Sequence, residues 1–268
     1  MSRLVWDRVG ERYYETGTKN GVLYLLTNGV YENGVAWNGL TGVSENPDGA
    51  DTTDLWADDT KYLSMRAKEN FKATITAYTY PEEFEQCDGT ASPMRGVKFG
   101  QQVRKPFGMA YRTAIGNDID FEDHGYKLHL VYGATASPAS KDYQTINDSP
   151  EAIEFSWEID TTPVEIGTID GVAYKPTATV ELDSTKLSTA KMKAIEDILF
   201  GTDGGYTAFS GDEFVDGTTY YEKSGDVYTA TTDTEVDANK TYYVQNGGTA
   251  PRMPLPKEIY QILGKISA

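Results

Sequence analysis

The sequence predicts a mainly β protein: a β-sandwich or open barrel with one accessory α-helix, plus a small β-meander insertion. Three observations lead there. Several segments alternate apolar and polar residues with period two, and one late stretch carries a long helical stripe. A Tyr-, Thr- and Gly-rich region further on contains an internal near-repeat. The chain has 268 residues, of which 39% are hydrophobic and 12% aromatic. That length suits one large β domain, or a domain of about 200 residues carrying an insertion.

Residues 22–27 form a short apolar run, Val22 to Leu26, that reads as a strand buried on both faces. In residues 71–80, Phe71, Ala73, Ile75, Ala77 and Thr79 alternate with Lys72, Thr74, Thr76, Tyr78 and Tyr80. A single helical turn is expected at 81–86, leaving that strand. Residues 107–115 place Phe107, Met109 and Tyr111 on one side, and 126–132 group Tyr126, Leu128, Leu130 and Tyr132. Ile153, Phe155, Trp157 and Ile159 share a face, and Ala178, Val180 and Leu182 close the series. The helix is expected over 189–200, with Met192, Ile195 and Leu199 on its stripe, Ser188 as N-cap and Gly201 just past its end. The remainder reads as strand, turn, loop and a C-terminal tail.

Between Gly39 and Tyr62 lies an acidic connection of about twenty residues, expected to be structureless. Such a connection is rare within a compact domain unless it is functional. Leu55 and Trp56 sit there among acids that include Asp58 and Asp59. They predict either an arm that buries an apolar tip against a partner or a loop folded on its own domain. In 204–248, Val215, Asp216, Thr219, Tyr220 and Tyr221 recur as Val236, Asp237, Thr241, Tyr242 and Tyr243. The flanks at 200–204 and 250–256 would join without this region. The expected organisation is therefore a β-sandwich domain of residues 1–203 plus 249–268, with 204–248 inserted as a decoration.

The charge balance is 24 basic against 41 acidic residues, net −17. A surface of that sign repels phosphate, which argues against sequence-specific nucleic-acid binding, and it keeps a protein soluble at high concentration. Cys87 is the only cysteine, so no intrachain disulfide forms, and its surroundings read as a buried small residue rather than a nucleophile. Arg3, Asp7 and Arg8 interrupt the N-terminus, so a secretory signal is not expected and folding in a cytoplasm is. No apolar run approaches the ~20 residues that span a bilayer.

The search for chemistry predicts no enzyme. His124 and His129, the two histidines, lack metal-ligand spacing and read as surface residues; His129 faces away from Leu128 and Leu130. Glu154, Glu158 and Asp160 share a strand face, but Thr161, Thr162 and Pro163 stand where a second glycosidase acid would follow. The acidic clusters 46–59 and 117–123 offer hard oxygens, yet neither fits the EF-hand template. No cofactor is expected.

Residues 35–51, with Val35, Trp37, Gly39, Leu40 and Pro47, Tyr62–Leu63, and 76–89, with Tyr80, Pro81, Glu82, Glu83, Phe84 and Cys87, resemble the major tail-tube proteins of siphophages of Gram-positive bacteria. So do 182–187, 195–201 and 251–256, whereas 204–248 departs from the pattern. The resemblance implies a β-sandwich with a helix, whose copies form stacked, six-membered rings. It implies a structural virion protein assembled in the host cytoplasm, working with tape-measure, tail-terminator and baseplate proteins, with double-stranded DNA as transiting cargo only. Leu55, Trp56, Asp58 and Asp59 would then form an arm between rings. The alternatives are a carbohydrate-binding β-sandwich module, motivated by Tyr and Trp that stack on sugars, and a hydrolase using Glu154, Glu158 and Asp160.

Overall fold

The computed structural model describes residues 3–139, 141, 143, 145, 152–215, 218–225, 227–237 and 239–266. In its first half the strands are β1 (Tyr14–Thr27), β2 (Val30–Tyr31), β3 (Val35–Trp37), β4 (Leu40–Glu45), β5 (Asp48–Gly49), β6 (Thr52–Ala57), β7 (Thr60–Arg66), β8 (Glu69–Asn70), β9 (Lys72–Ala77), β10 (Ala91–Met94), β11 (Val97–Phe99), β12 (Phe107–Asn117) and β13 (Phe121–Ala136). Then come β14 (Phe155–Thr161), β15 (Gly167–Ile169), β16 (Val172–Tyr174), β17 (Thr179–Asp183), β18 (Tyr206–Ala208), β19 (Tyr220–Ser224), β20 (Val227–Ala230) and β21 (Tyr242–Gln245). The helices are α1 (Thr189–Leu199) and α2 (Pro256–Lys265), with a 3-10 turn at Glu82–Gln86.

The mainly β expectation holds. The main antiparallel sheet runs β2-β1-β12-β13-β14-β9-β4, with β17 on β13 and β3 on β1. It bends at Gly133. Before that residue β13 pairs with β17 through Lys127–Val131; after it, Ala134–Ala136 pair with β14. Gly133 has φ +58°, and a Cβ there would lie 2.3 Å from the Thr162 carbonyl oxygen, so only glycine fits. The bend folds β14-β9-β4 over β1-β12-β13. The continuous segment β3-Asn38-Gly39-β4 ties the two halves together without closing the barrel by hydrogen bonds.

Period-two alternation now acquires two cores. Leu23 and Leu25, Met109 and Tyr111, Ile75, Trp157 and Ile159 meet between the two halves of the sheet. Trp37 donates its indole N–H to the Thr79 carbonyl at 3.0 Å and packs on Phe84 at 4.6 Å. The opposite faces of the same strands, Val22, Tyr24, Leu128, Leu130 and Tyr132, are covered by the two helices. From α1 come Met192, Ile195 and Leu199, the stripe expected from sequence, each buried side chain contributing about 1.5–3 kcal/mol. Ser188 holds the N-cap position, yet its hydroxyl finds no partner among the described residues. Cys87 is wholly buried, and burial pushes its thiol up to about 12.

Three expectations are corrected. The connection at 40–62 is not structureless: it contains β4, β5 and β6 and leads into the β6–β7 hairpin. The C-terminal tail is helical, so α2 joins α1; Pro256 occupies the first turn, where its missing N–H costs nothing. His129 is not a surface residue, since its side chain is only 13% exposed. Residues 206–245 form a separate four-stranded sheet in the order β18-β21-β19-β20, in which β21 returns between β18 and β19. Asp216, Gly217, Asp226 and Ala238 of the repeat region lie outside the described residues. The two ends of this region meet at Thr202 and Thr249, whose backbone bond is 3.0 Å long.

Candidate assembly surface

The β6–β7 hairpin carries the residues singled out from sequence. Asp58 and Asp59 form its two-residue turn, with φ +50° and +59°. Two consecutive left-handed residues make the kind of turn whose twist matches a hairpin, and it normally selects Asn-Gly. Two aspartates place two carboxylates at the tip instead. Thr53 faces Met65 and Leu55 faces Leu63 across the strands, so Leu55, Leu63 and Met65 share one face. The other face is polar: Asp54 accepts from Lys61 at 2.7 Å and from Ser64. Lys61 first, then Ser64, hold the Asp54 carboxyl below its ordinary value. Trp56 follows a register shift and is 68% exposed.

Every residue of β6 and β7 is exposed, Leu55, Trp56, Tyr62, Leu63 and Met65 included. An isolated two-stranded ribbon is marginal in water and needs packing on one face. Among the described residues nothing packs on that face. The hairpin continues β4 and β9 through the β5–β8 bridge, where Gly49 (φ +89°) and Ala50 (φ +61°) turn the chain out of the extended conformation before β6 begins. The structure thus brings Leu55, Trp56, Asp58 and Asp59 together at the end of one projecting element.

The remaining candidates do not converge. Glu158 and Asp160 lie exposed on the outer face of β14 and Glu154 just before it; Glu154 accepts from Thr41 at 2.6 Å and Asp160 from Asn70. His124 contacts Asp120 and Asn117 near the β12–β13 turn, each at 3.1 Å. His129 stacks on Tyr111 at 4.7 Å and lies 2.9 Å from the Thr113 hydroxyl; burial lowers its pKa against the pull of Glu181, Glu45 and Glu15. Among the described residues, no group of three or more His, Cys, Asp or Glu side chains is placed to hold a metal. Among the described residues no helix is long and apolar enough to cross a membrane.

Two features escaped the sequence reading. The β10–β11 hairpin exposes Met94 and Phe99, and the segment after it exposes Val103 at 93%. Residues 89–106 contain Arg95, Lys98, Arg104 and Lys105 but no acid, a signal that was present in the sequence of this acidic chain. The N-terminal segment likewise exposes Leu4, Val5, Trp6 and Val9. Finally, β4 and β17 each have one hydrogen-bonded neighbour in the main sheet, leaving their outer edges open among the described residues.

No family model matches the chain, and no curated protein does. Among solved structures, a chain described as "Cryo-EM structure of the anti-feeding prophage (AFP) baseplate, 6-fold symmetrised" is similar over 67% of this chain and 97% of its own length, at 9% identity and a TM-score of 0.31.

Proposed function

We propose that this chain is a non-enzymatic structural subunit that self-assembles into stacked rings, forming the tail tube of a long-tailed phage through which DNA passes. The observation that carries the reading is the β6–β7 arm, a projecting ribbon with Leu55, Leu63 and Met65 exposed on one face and uncovered among the described residues. Such a ribbon gains its missing contacts from another copy. The open edges of β4 and β17 support lateral association in the same way, because pairing an edge with a neighbour removes the aggregation hazard. The residues resembling tail-tube proteins specify the tube and its six-membered rings. An arm that meets a different surface on the next copy is a heterologous contact, which does not close and so generates a filament.

The charge fits this role. Six copies carry 6 × −17, or −102, and acid directed at the lumen would repel a duplex bearing one charge per ~1.7 Å. On this reading the partners are other copies, the tape measure and the proteins that end the tail, and the place of action is the virion. Residues 204–248 are a decoration inserted into the sandwich, a division supported by the meeting of Thr202 and Thr249. Negative-stain microscopy of concentrated protein tests the proposal: hollow tubes are expected, and globular particles under every nucleating condition would overturn it.

A second reading, carbohydrate binding, is favoured by one observation in the inserted sheet. Tyr206, Tyr221, Tyr228 and Tyr243 cluster there half-exposed, with Tyr206 stacked on Tyr228 at 3.9 Å. Binding on a glycan array by protein that never polymerises would select this reading over the tube.

A further inference from the structure

We infer that the β6–β7 arm of one copy docks on the β10–β11 hairpin of the next copy, joining successive subunits head to tail. This inference rests on the assembly reading above and names the surface that receives the arm.

Topology supplies the first argument. The arm leaves the sheet at the Lys72 end of β9, through the β5–β8 bridge. The β10–β11 hairpin follows the 3-10 turn beyond the Ala77 end of the same strand. Gln102 and Lys105 bond back to Gly89 and Gln86, which holds the hairpin at that end. The two projections therefore leave opposite ends of one six-residue strand, about 20 Å long. With its root at the far end of β9 from its own hairpin, the arm would meet the hairpin of a copy stacked beyond that end.

Charge supplies the second. Residues 48–59 hold five aspartates and no base, although β7 carries Lys61 and Arg66 on the return. Asp48 is paired with Lys72 and Asp54 with Lys61. Asp51, Asp58 and Asp59 make no ion pair among the described residues. Across residues 89–106 there are four bases and no acid; Lys98 is held by Glu85 and Arg104 by Asp88, while Arg95 and Lys105 make no ion pair among the described residues. Glu82, Glu83 and Glu85 line the groove beneath the hairpin together with Arg95, Lys98 and Lys105, so the base on the hairpin itself without an ion pair among the described residues is Arg95, and Lys105 lies in the segment after it. Both elements also present uncovered apolar side chains, Trp56 and Leu63 on one, Met94 and Phe99 on the other. Apolar centres ringed by opposite charge supply both affinity and register.

Cysteine cross-linking tests the contact in the full chain. Cys87 is wholly buried, so thiols introduced by Thr60→Cys at the arm and Met94→Cys at the hairpin are the reactive ones. A short bismaleimide applied to the double variant at high concentration should give a ladder of dimers, trimers and longer species, while either single variant should not. Asp58→Lys with Asp59→Lys in that background should cut the ladder at least about tenfold, as should Arg95→Glu with Lys105→Glu. Combining the two charge reversals should restore it, with thermal melts checking that each variant is folded. Tubes without a ladder, or charge reversals of no effect, would overturn this contact and leave the tube reading standing. A ladder without tubes would keep the contact and remove the tube, and neither ladder nor tubes would remove both.

Discussion

The hydroxyl of Tyr24 donates to the backbone carbonyl of Leu199 at 2.7 Å, in the core and across 175 residues. It links the helix-facing side of β1 to the last turn of α1, where backbone carbonyls lack intrahelical partners. Burial pushes the Tyr24 phenol well above its ordinary range, so it stays a donor at any ordinary pH. Tyr24→Phe strands a buried acceptor and should cost about 1–3 kcal/mol. A urea midpoint that falls at unchanged slope is the expected measurement.

Gly133 is the hinge between the two pairings of β13. Gly133→Ala places a Cβ against the Thr162 carbonyl in a left-handed conformation. The backbone strain alone is on the order of 1–3 kcal/mol, and the contact adds to it. Thermal unfolding should show a large loss, whereas Gly225→Ala, with a similar φ of +62° but open space around it, should lose only the strain.

His129 makes stability depend on pH. Burial depresses its folded pKa below 6.5, outweighing the pull of Glu181, Glu45 and Glu15, with Lys127 acting in the same direction as burial. The unfolded chain therefore binds the proton more readily. The stabilisation is full above 6.5 and is lost as pH falls from there through the folded value. Glu15 titrates in a lower window: hydrogen bonds from Thr113 and Lys127 outweigh its burial and hold it below 4.5. In unfolding curves recorded across this range, His129→Gln should flatten the upper step and shrink the lower one, because the His129 charge helps to hold Glu15 down.

Cys87 should be chemically silent in the folded protein. It is fully buried with a thiol raised to about 12. Alkylation should proceed only at the rate of unfolding and become complete in denaturant; prompt labelling of native protein would contradict the packing of this core.

Trp56→Asp should abolish polymerisation while changing monomer stability by no more than about 0.5 kcal/mol, because Trp56 is 68% exposed on the arm. Melting and microscopy on the same sample separate the two effects. A monomer that unfolds would mean the arm belongs to its own core.

Local periodicity alone located the core strands. Ala73, Ile75 and Ala77, then Phe107, Met109 and Tyr111, then Trp157 and Ile159, are buried on the faces their alternation predicts. Met192, Ile195 and Leu199 did the same for α1. The β6–β7 hairpin was less legible because its turn is Asp-Asp instead of Asn-Gly and both its faces are exposed, so no buried face imposes a clean alternation. The helix α2 was hidden by Pro254, Pro256 and Gly264, which read as breakers although Pro256 starts it. What only the tertiary structure decided is which faces meet and which ends point apart. Strand pairing is non-local, and a pivot such as Gly133 separates partners 23 to 27 residues away on one side from partners 48 to 56 residues away on the other. The sequence thus determined that Leu55, Trp56, Asp58 and Asp59 needed an explanation. The fold decided that they stand on a projecting ribbon, at the opposite end of β9 from the basic hairpin.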